Sequence, residues 1–180
     1  MGHIVKAMDV SERPAAAAAA PGATATLAAY VAALRYEMLP SAVVEKTRAC
    51  VLDALGCMVF GATLPWTRIV ADMAREEGGA PQASLVGGSG RLSVLQAVFV
   101  NSTAGHAFEL DDAHTRASMH AGSIAVATAL ALSEWRPQVT GRDAIPAVGA
   151  GDAAGRRGGI AGAGKIFKRG CHSAAGGGGL

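Results

Sequence analysis

The 180-residue sequence predicts an all-α fold, and three features predict it. Apolar residues recur at spacings of three and four along most of the chain. Prolines and glycines punctuate these runs. Only residues 80–91 have strand-compatible character, and they end in a glycine turn. The core is expected to be thin. The apolar fraction of 51% is rich in alanine, and aromatic residues make up only 4%. Each alanine brings fewer carbons to a core than leucine, at about 0.8 kcal/mol per buried methylene.

The elements follow in order. Residues 1–23 read as a flexible leader, because Pro14, the Ala15–Ala20 run and Pro21-Gly22 give no nucleus for a stable helix. From Thr24, the residues Leu27, Tyr30, Val31, Leu34 and Met38 predict one helix that Pro40 ends. A second helix starts after Pro40-Ser41, carries Val44, Thr47, Val51, Ala54, Leu55, Met58 and Val59 on one face, and closes at Gly61. Cys50 and Cys57 sit beside that face and are expected to be buried thiols.

A third helix spans about Trp66 to Glu77, with Ile69, Val70 and Met73 inward, and stops at Gly78-Gly79. Leu92 to Phe108 is helical through Leu95, Val98, Phe99 and Ala104, and Gly122 to Trp135 is a further apolar helix. A last helix begins at Gly141-Arg142-Asp143 and fades by Gly155. The organised region is therefore 24–154. Residues 155–180 form a Gly-rich basic tail expected to be poorly ordered.

Composition narrows the function. No 18-residue apolar stretch lacks charge, so no membrane partner is expected. Lys6 and Asp9 interrupt the first ten residues, which makes a secretory signal unlike this sequence. Three cysteines without C-x-x-C pairing suit neither a disulfide framework nor a zinc knuckle, and a cytoplasmic location is the default. The net charge of +2 gives no reason to expect nucleic acid. Two nucleotide-binding lookalikes fail: Gly159 to Lys165, like a phosphate loop, is followed by Ile166 where a hydroxyl must bind magnesium, and Gly149-Ala-Gly151, like a dinucleotide fingerprint, lies in a helical stretch.

Ionisable residues crowd between two apolar helices, at His106, Glu109, Asp111, Asp112, His114 and His120. If the helix continues that far, the spacing of His106, Glu109 and Asp112 puts them on one face, with His114 and His120 on the loop entering the Gly122 helix. Adjacent carboxylates and imidazoles can supply a general acid and a general base near neutral pH. The same residues also suit a helix cap with surface ion pairs. A divalent-metal site fits less well, because no H-E-x-x-H-like spacing appears.

The motifs Leu27-Ala-Ala-Tyr30, Val51-Leu-Asp-Ala-Leu-Gly56-Cys57, Gly78-Gly-Ala-Pro81, Asn101-Ser-Thr-Ala-Gly-His106-Ala-Phe-Glu109-Leu-Asp111-Asp112 and His120-Ala-Gly122-Ser123 appear in register. Together they resemble the MmgE/PrpD family of 2-methylcitrate dehydratases and cis-aconitate decarboxylases over about 24–150. The resemblance implies the first part of a larger all-helical domain, here truncated. It also implies lyase chemistry on small tri- and dicarboxylates by acid–base elimination or decarboxylation, no cofactor, no metal, and a homodimer. The propionate metabolism of 2-methylcitrate belongs to the same expectation. By position it assigns catalytic roles to Glu109, Asp111, Asp112 and His120, and to His172 in a decayed Arg169-Gly-Cys-His172 segment. His106, His114 and Ser123 become candidates to touch substrate.

Ala113, Ala121 and Cys171 depart from the family pattern, and the family's downstream lysine region has no counterpart. The alternative is a non-catalytic remnant, or an assembly partner of a full-length homologue.

Overall fold

The computed structural model describes residues 22–114 and 119–151; the expected leader up to residue 21 and the expected tail at 155–180 lie outside them. The described fold is all-α with one small hairpin, as the periodicity predicts. Helix α1 (Ala23–Ala33) forms a unit by itself and buries no residue. The expected single helix to Pro40 is interrupted: α1 ends at Ala33, and residues Tyr36–Met38 form only a 3-10 turn. Apolar residues there surround the axis rather than forming one stripe, so no face holds the helix together through Leu34-Arg35.

The second unit begins at Leu34. It contains α2 (Ser41–Gly61), α3 (Pro65–Glu76), the antiparallel strands β1 (Ala83–Ser84) and β2 (Arg91–Leu92), α4 (Val94–Gly105), α5 (Gly122–Trp135) and a helix, α6, over 141–151. Helix α4 is central and packs on α2, α3, α5 and both strands. Its start is fixed by a capping box: Ser93 Oγ accepts from the Gln96 amide, and the Gln96 side chain reaches back to the Ser93 amide. A side-chain carbon at Gly61 would fall on the Ala104 carbonyl, so glycine lets α2 and α4 cross at backbone contact.

Two apolar clusters result. One joins α3, the hairpin and α4 through Ala71, Ala74, Leu85, Leu92, Ala97 and Val100. The other joins α2, α4, α5 and α6 through Ala54, Met58, Ala104, Val126, Ala127 and Val148. Met58 is the largest wholly buried side chain among the described residues and contributes about 1.5–3 kcal/mol by its burial.

Sequence expectations fail on three helices. On α3, the buried residues are Thr67, Ala71 and Ala74, whereas Ile69 and Met73 are exposed and only Val70 packs against the core. On α4, Leu95 and Phe99 are exposed. On α2, Val59 also faces outward. On α3 and α4, small residues such as Ala71, Ala74, Ala97 and Ala104 take close helix contacts while these bulky ones point away. Cys57 is buried as expected and Cys50 is half-buried. Among the described residues, no single helix is long and apolar enough to cross a membrane.

Candidate functional site

The site is built where α4 ends and α5 begins. Helix α4 stops at Gly105, and His106 is its C-terminal cap with φ −101° and ψ 8°. The chain then turns through Glu109, the one non-glycine residue with positive φ (58°) among those described. This overturns the helical continuation that would have aligned His106, Glu109 and Asp112 on one face. The loop is anchored on two sides. Trp66 Nε1 donates to the Ala107 carbonyl at 3.1 Å, and the Phe108 ring meets Phe60 edge-on at 4.6 Å.

The turn carries Asp111 inward, where its side chain is 1% exposed. His106 Nδ1 lies 3.0 Å from Asp111 Oδ1, a hydrogen bond when that nitrogen carries the proton. His120 Nδ1 lies 3.2 Å from the same oxygen, close in distance but outside hydrogen-bond geometry. The two imidazole rings lean together with centroids 4.6 Å apart. One carboxylate thus stands between two imidazoles contributed by opposite ends of the loop. His106, Asp111 and His120 are also the group whose ligand atoms fall within 4.8 Å of one another.

The remaining candidates divide by place. Glu109 is mostly exposed, 3.6 Å from His106 Nε2 on the side away from Asp111. Asp112 Oδ1 accepts from the Gly122 amide at 2.9 Å, placing a carboxylate on the positive end of α5. Ser123 is buried and its hydroxyl faces the His120 carbonyl at 3.4 Å. His114 is half-buried and pairs through its backbone with Met119, closing the base of the loop. His172 lies outside the described residues.

Burial raises the pKa of the nearby Cys57 thiol, with the charges of Asp53, Asp111 and Asp112 adding to it, so this sulfur is held neutral beside the site. Sequence reasoning passed over Asn101, which is buried and fastens the hairpin to α4. Its Oδ1 accepts from Val86 N–H at 2.9 Å and its Nδ2 donates to Ser84 C=O at 3.0 Å. The signal was an amide side chain on the helix face that Ala97 and Ala104 turn inward.

The profile of the MmgE/PrpD N-terminal domain matches residues 25–166, most of the chain. The chain belongs to the MmgE/PrpD family. A cis-aconitate decarboxylase of Aspergillus terreus is 33% identical over 115 residues, covering 63% of this chain and 23% of its own length. A cis-aconitate decarboxylase-like protein of Aspergillus oryzae, oryM, is 28% identical over 157 residues, covering 83% of this chain and 33% of its own. This MmgE/PrpD chain therefore spans between about a quarter and a third of the curated relatives it matches. No solved structure matches it.

Proposed function

We propose that this MmgE/PrpD chain carries the proton-transfer half of a lyase site for small tri- and dicarboxylates. The observation that supports it best is the buried Asp111 carboxylate set between His106 and His120. Imidazole is the side chain whose proton exchange falls nearest neutral pH. With Nδ1 turned to Asp111, His120 leaves Nε2 as the nitrogen available to a substrate. A small ring rotation completes the Asp111–His120 hydrogen bond, in keeping with catalytic hydrogen bonds that tighten only when substrate binds.

Two reactions use this arrangement. In decarboxylation, the bond between carbon and a carboxylate breaks, carbon dioxide leaves, and the electron pair remaining on carbon takes the Nε2 proton. In dehydration, a base removes the proton next to a carboxylate and the departing hydroxyl is protonated. The names of the relatives favour decarboxylation of a cis-aconitate-like tricarboxylate, with 2-methylcitrate-type dehydration as the competing reaction. Either way Asp111 orients the imidazole that handles the proton.

Purified protein incubated separately with cis-aconitate and with 2-methylcitrate decides between them, read by carbon dioxide release and by loss of water. His120→Ala is expected to lower turnover about 10²–10⁴-fold, the usual contribution of a positioned acid–base group. Unchanged turnover in that variant, with Asp111→Asn also unaffected, would remove this pair from the mechanism.

A second reading is favoured by the exposed apolar surface, in which Leu52, Ile69, Leu95 and Leu110 are each at least 70% exposed. In it, the chain acts in an assembly, either with a second copy or with a longer homologue, that covers this surface.

A further inference from the structure

Two polar atoms at the site are buried without a hydrogen-bond partner among the described residues: Asp111 Oδ2 and His120 Nδ1. Leaving a buried acceptor unpaired costs about 1–3 kcal/mol, and more for a charged group. What would satisfy both is a species that brings positive charge to a carboxylate and accepts a lone pair from imidazole. A proton does this for only one nitrogen at a time. A metal ion does it for all three side chains at once.

The two carboxylate–imidazole distances agree. A four-coordinate zinc ion with bonds of about 2.0–2.2 Å holds neighbouring ligand atoms roughly 3.3 Å apart. The two imidazole nitrogens stand 3.0 and 3.2 Å from Asp111 Oδ1, and one ligand atom from each residue lies within 4.8 Å of the others. Two nitrogens and one carboxylate suit a first-row transition ion, whereas magnesium and calcium prefer oxygen alone. Asp111 is held by the loop turn behind it, and His106 is fixed at the end of α4. The two carboxylate–imidazole pairs therefore stand near coordination spacing before any ion arrives.

We propose that His106 Nδ1, the Asp111 carboxylate and His120 Nδ1 form a binding site for a divalent transition-metal cation of the zinc or cobalt class, with a fourth position open to water. Its consequence for turnover rests on the proposed function; binding itself does not. An imidazole bound through Nδ1 keeps its proton on Nε2 and has no lone pair left to act as a base. The cation therefore stops the proton cycle of His120 instead of driving it.

The test uses the whole chain, stripped with a chelator and kept at mildly alkaline pH so that protons do not compete. Titration with cobalt(II) is expected to give the strong visible absorption of a four-coordinate ion at one equivalent. His106→Gln, Asp111→Asn and His120→Gln are each expected to weaken zinc binding at least tenfold by calorimetry. Zinc added to the unsubstituted chain is expected to shift the imidazole NMR signals of His106 and His120 and leave His3 and His114 in place, a readout that survives any folding failure of the variants. A weak, water-like cobalt spectrum would overturn the proposal. So would unaltered binding in the His106→Gln/His120→Gln double variant. Turnover that zinc leaves untouched, alongside confirmed binding, would overturn the stopping role. Absence of turnover even in stripped protein would count against the proposed function and leave the binding result standing.

Discussion

Glu109 occupies a left-handed backbone position with φ 58°, a region that costs an ordinary L-residue roughly 1–2 kcal/mol. That turn aims Asp111 inward, so the strain belongs to the construction of the site. Glycine accepts the position freely, and a β-branched residue accepts it worst. Glu109→Gly is expected to leave the urea midpoint within about 1 kcal/mol of the parent, the strain relieved offsetting the entropy glycine adds to the unfolded chain. Glu109→Val is expected to lose about 1–2 kcal/mol more. Equal midpoints for the two variants would show that the turn carries no strain. Cys57 gives a second residue-level prediction. Its folded pKa is raised, chiefly by burial, so the native chain holds the thiol proton more tightly than the unfolded chain does. That contribution is fully present below the unfolded thiol's pKa of about 8.5 and is lost as pH rises through the folded value. Stability measured in urea is therefore expected to fall from mildly alkaline pH upward, and Cys57→Ala is expected to flatten the fall. An identical alkaline slope in the variant would assign it to other groups.

The joint between the loop and α5 is where a whole element depends on one small residue. A side-chain carbon at Gly122 would collide with Asp112 Oδ1, the atom that accepts the Gly122 amide hydrogen bond. Gly122→Ala is therefore expected to cost about 1 kcal/mol, because Asp112 must swing aside and give up that hydrogen bond, measurable as a lower thermal midpoint. Asp112→Asn keeps an acceptor and is expected to cost well under 1 kcal/mol, whereas Asp112→Ala costs about 1 kcal/mol, as at other helix starts. If Asp112→Asn instead proved as damaging as Gly122→Ala, charge rather than spacing would govern this joint. The bounds of α5 were legible because Gly122 and the break after Trp135 frame an unbroken apolar run. The start of α2 after Pro40 and its close at Gly61 were legible for the same reason. The facing of α3 was not. Periodicity assigns bulk to the interior, yet Ala71 and Ala74 make the close contacts while Ile69 and Met73 face out. Nor was the pairing of Asp111 with both imidazoles legible from spacing. It arises from a left-handed turn at Glu109 and from the return of the chain at His120, neither of which has a helical period. What the sequence did carry was the crowding of acids and histidines between apolar helices, which is where the candidate site lies.

At the scale of the molecule, the balance of core and surface is unusual. The interior is built largely of alanine and valine, while Leu52, Ile69, Leu95, Leu110 and Ile124 stand mostly in the open. Part of that surface is continuous: Leu52, Phe60, Phe108 and Leu110 line an open groove of about 710 Å³ beside Cys57. Exposed apolar patches of this kind mark interaction sites in soluble proteins. Burial by a second copy would return roughly 25 cal/mol for each Å² covered, energy that the thin core does not supply. Light scattering on the purified chain is therefore expected to report a mass above the 18.0 kDa of one copy. The Leu52→Asp/Leu110→Asp double variant is expected to shift the chain toward the monomer. Both side chains are more than 70% exposed, so their replacement removes little from the folded core and the far-UV dichroism should persist. A parent chain that runs as a single 18.0 kDa species and unfolds cooperatively would show that the small-residue interior suffices without a cover. Dissociation by the double variant together with retained helicity would locate the missing stabilisation at this groove, because only an interface makes exposed leucines matter to mass while leaving the fold intact.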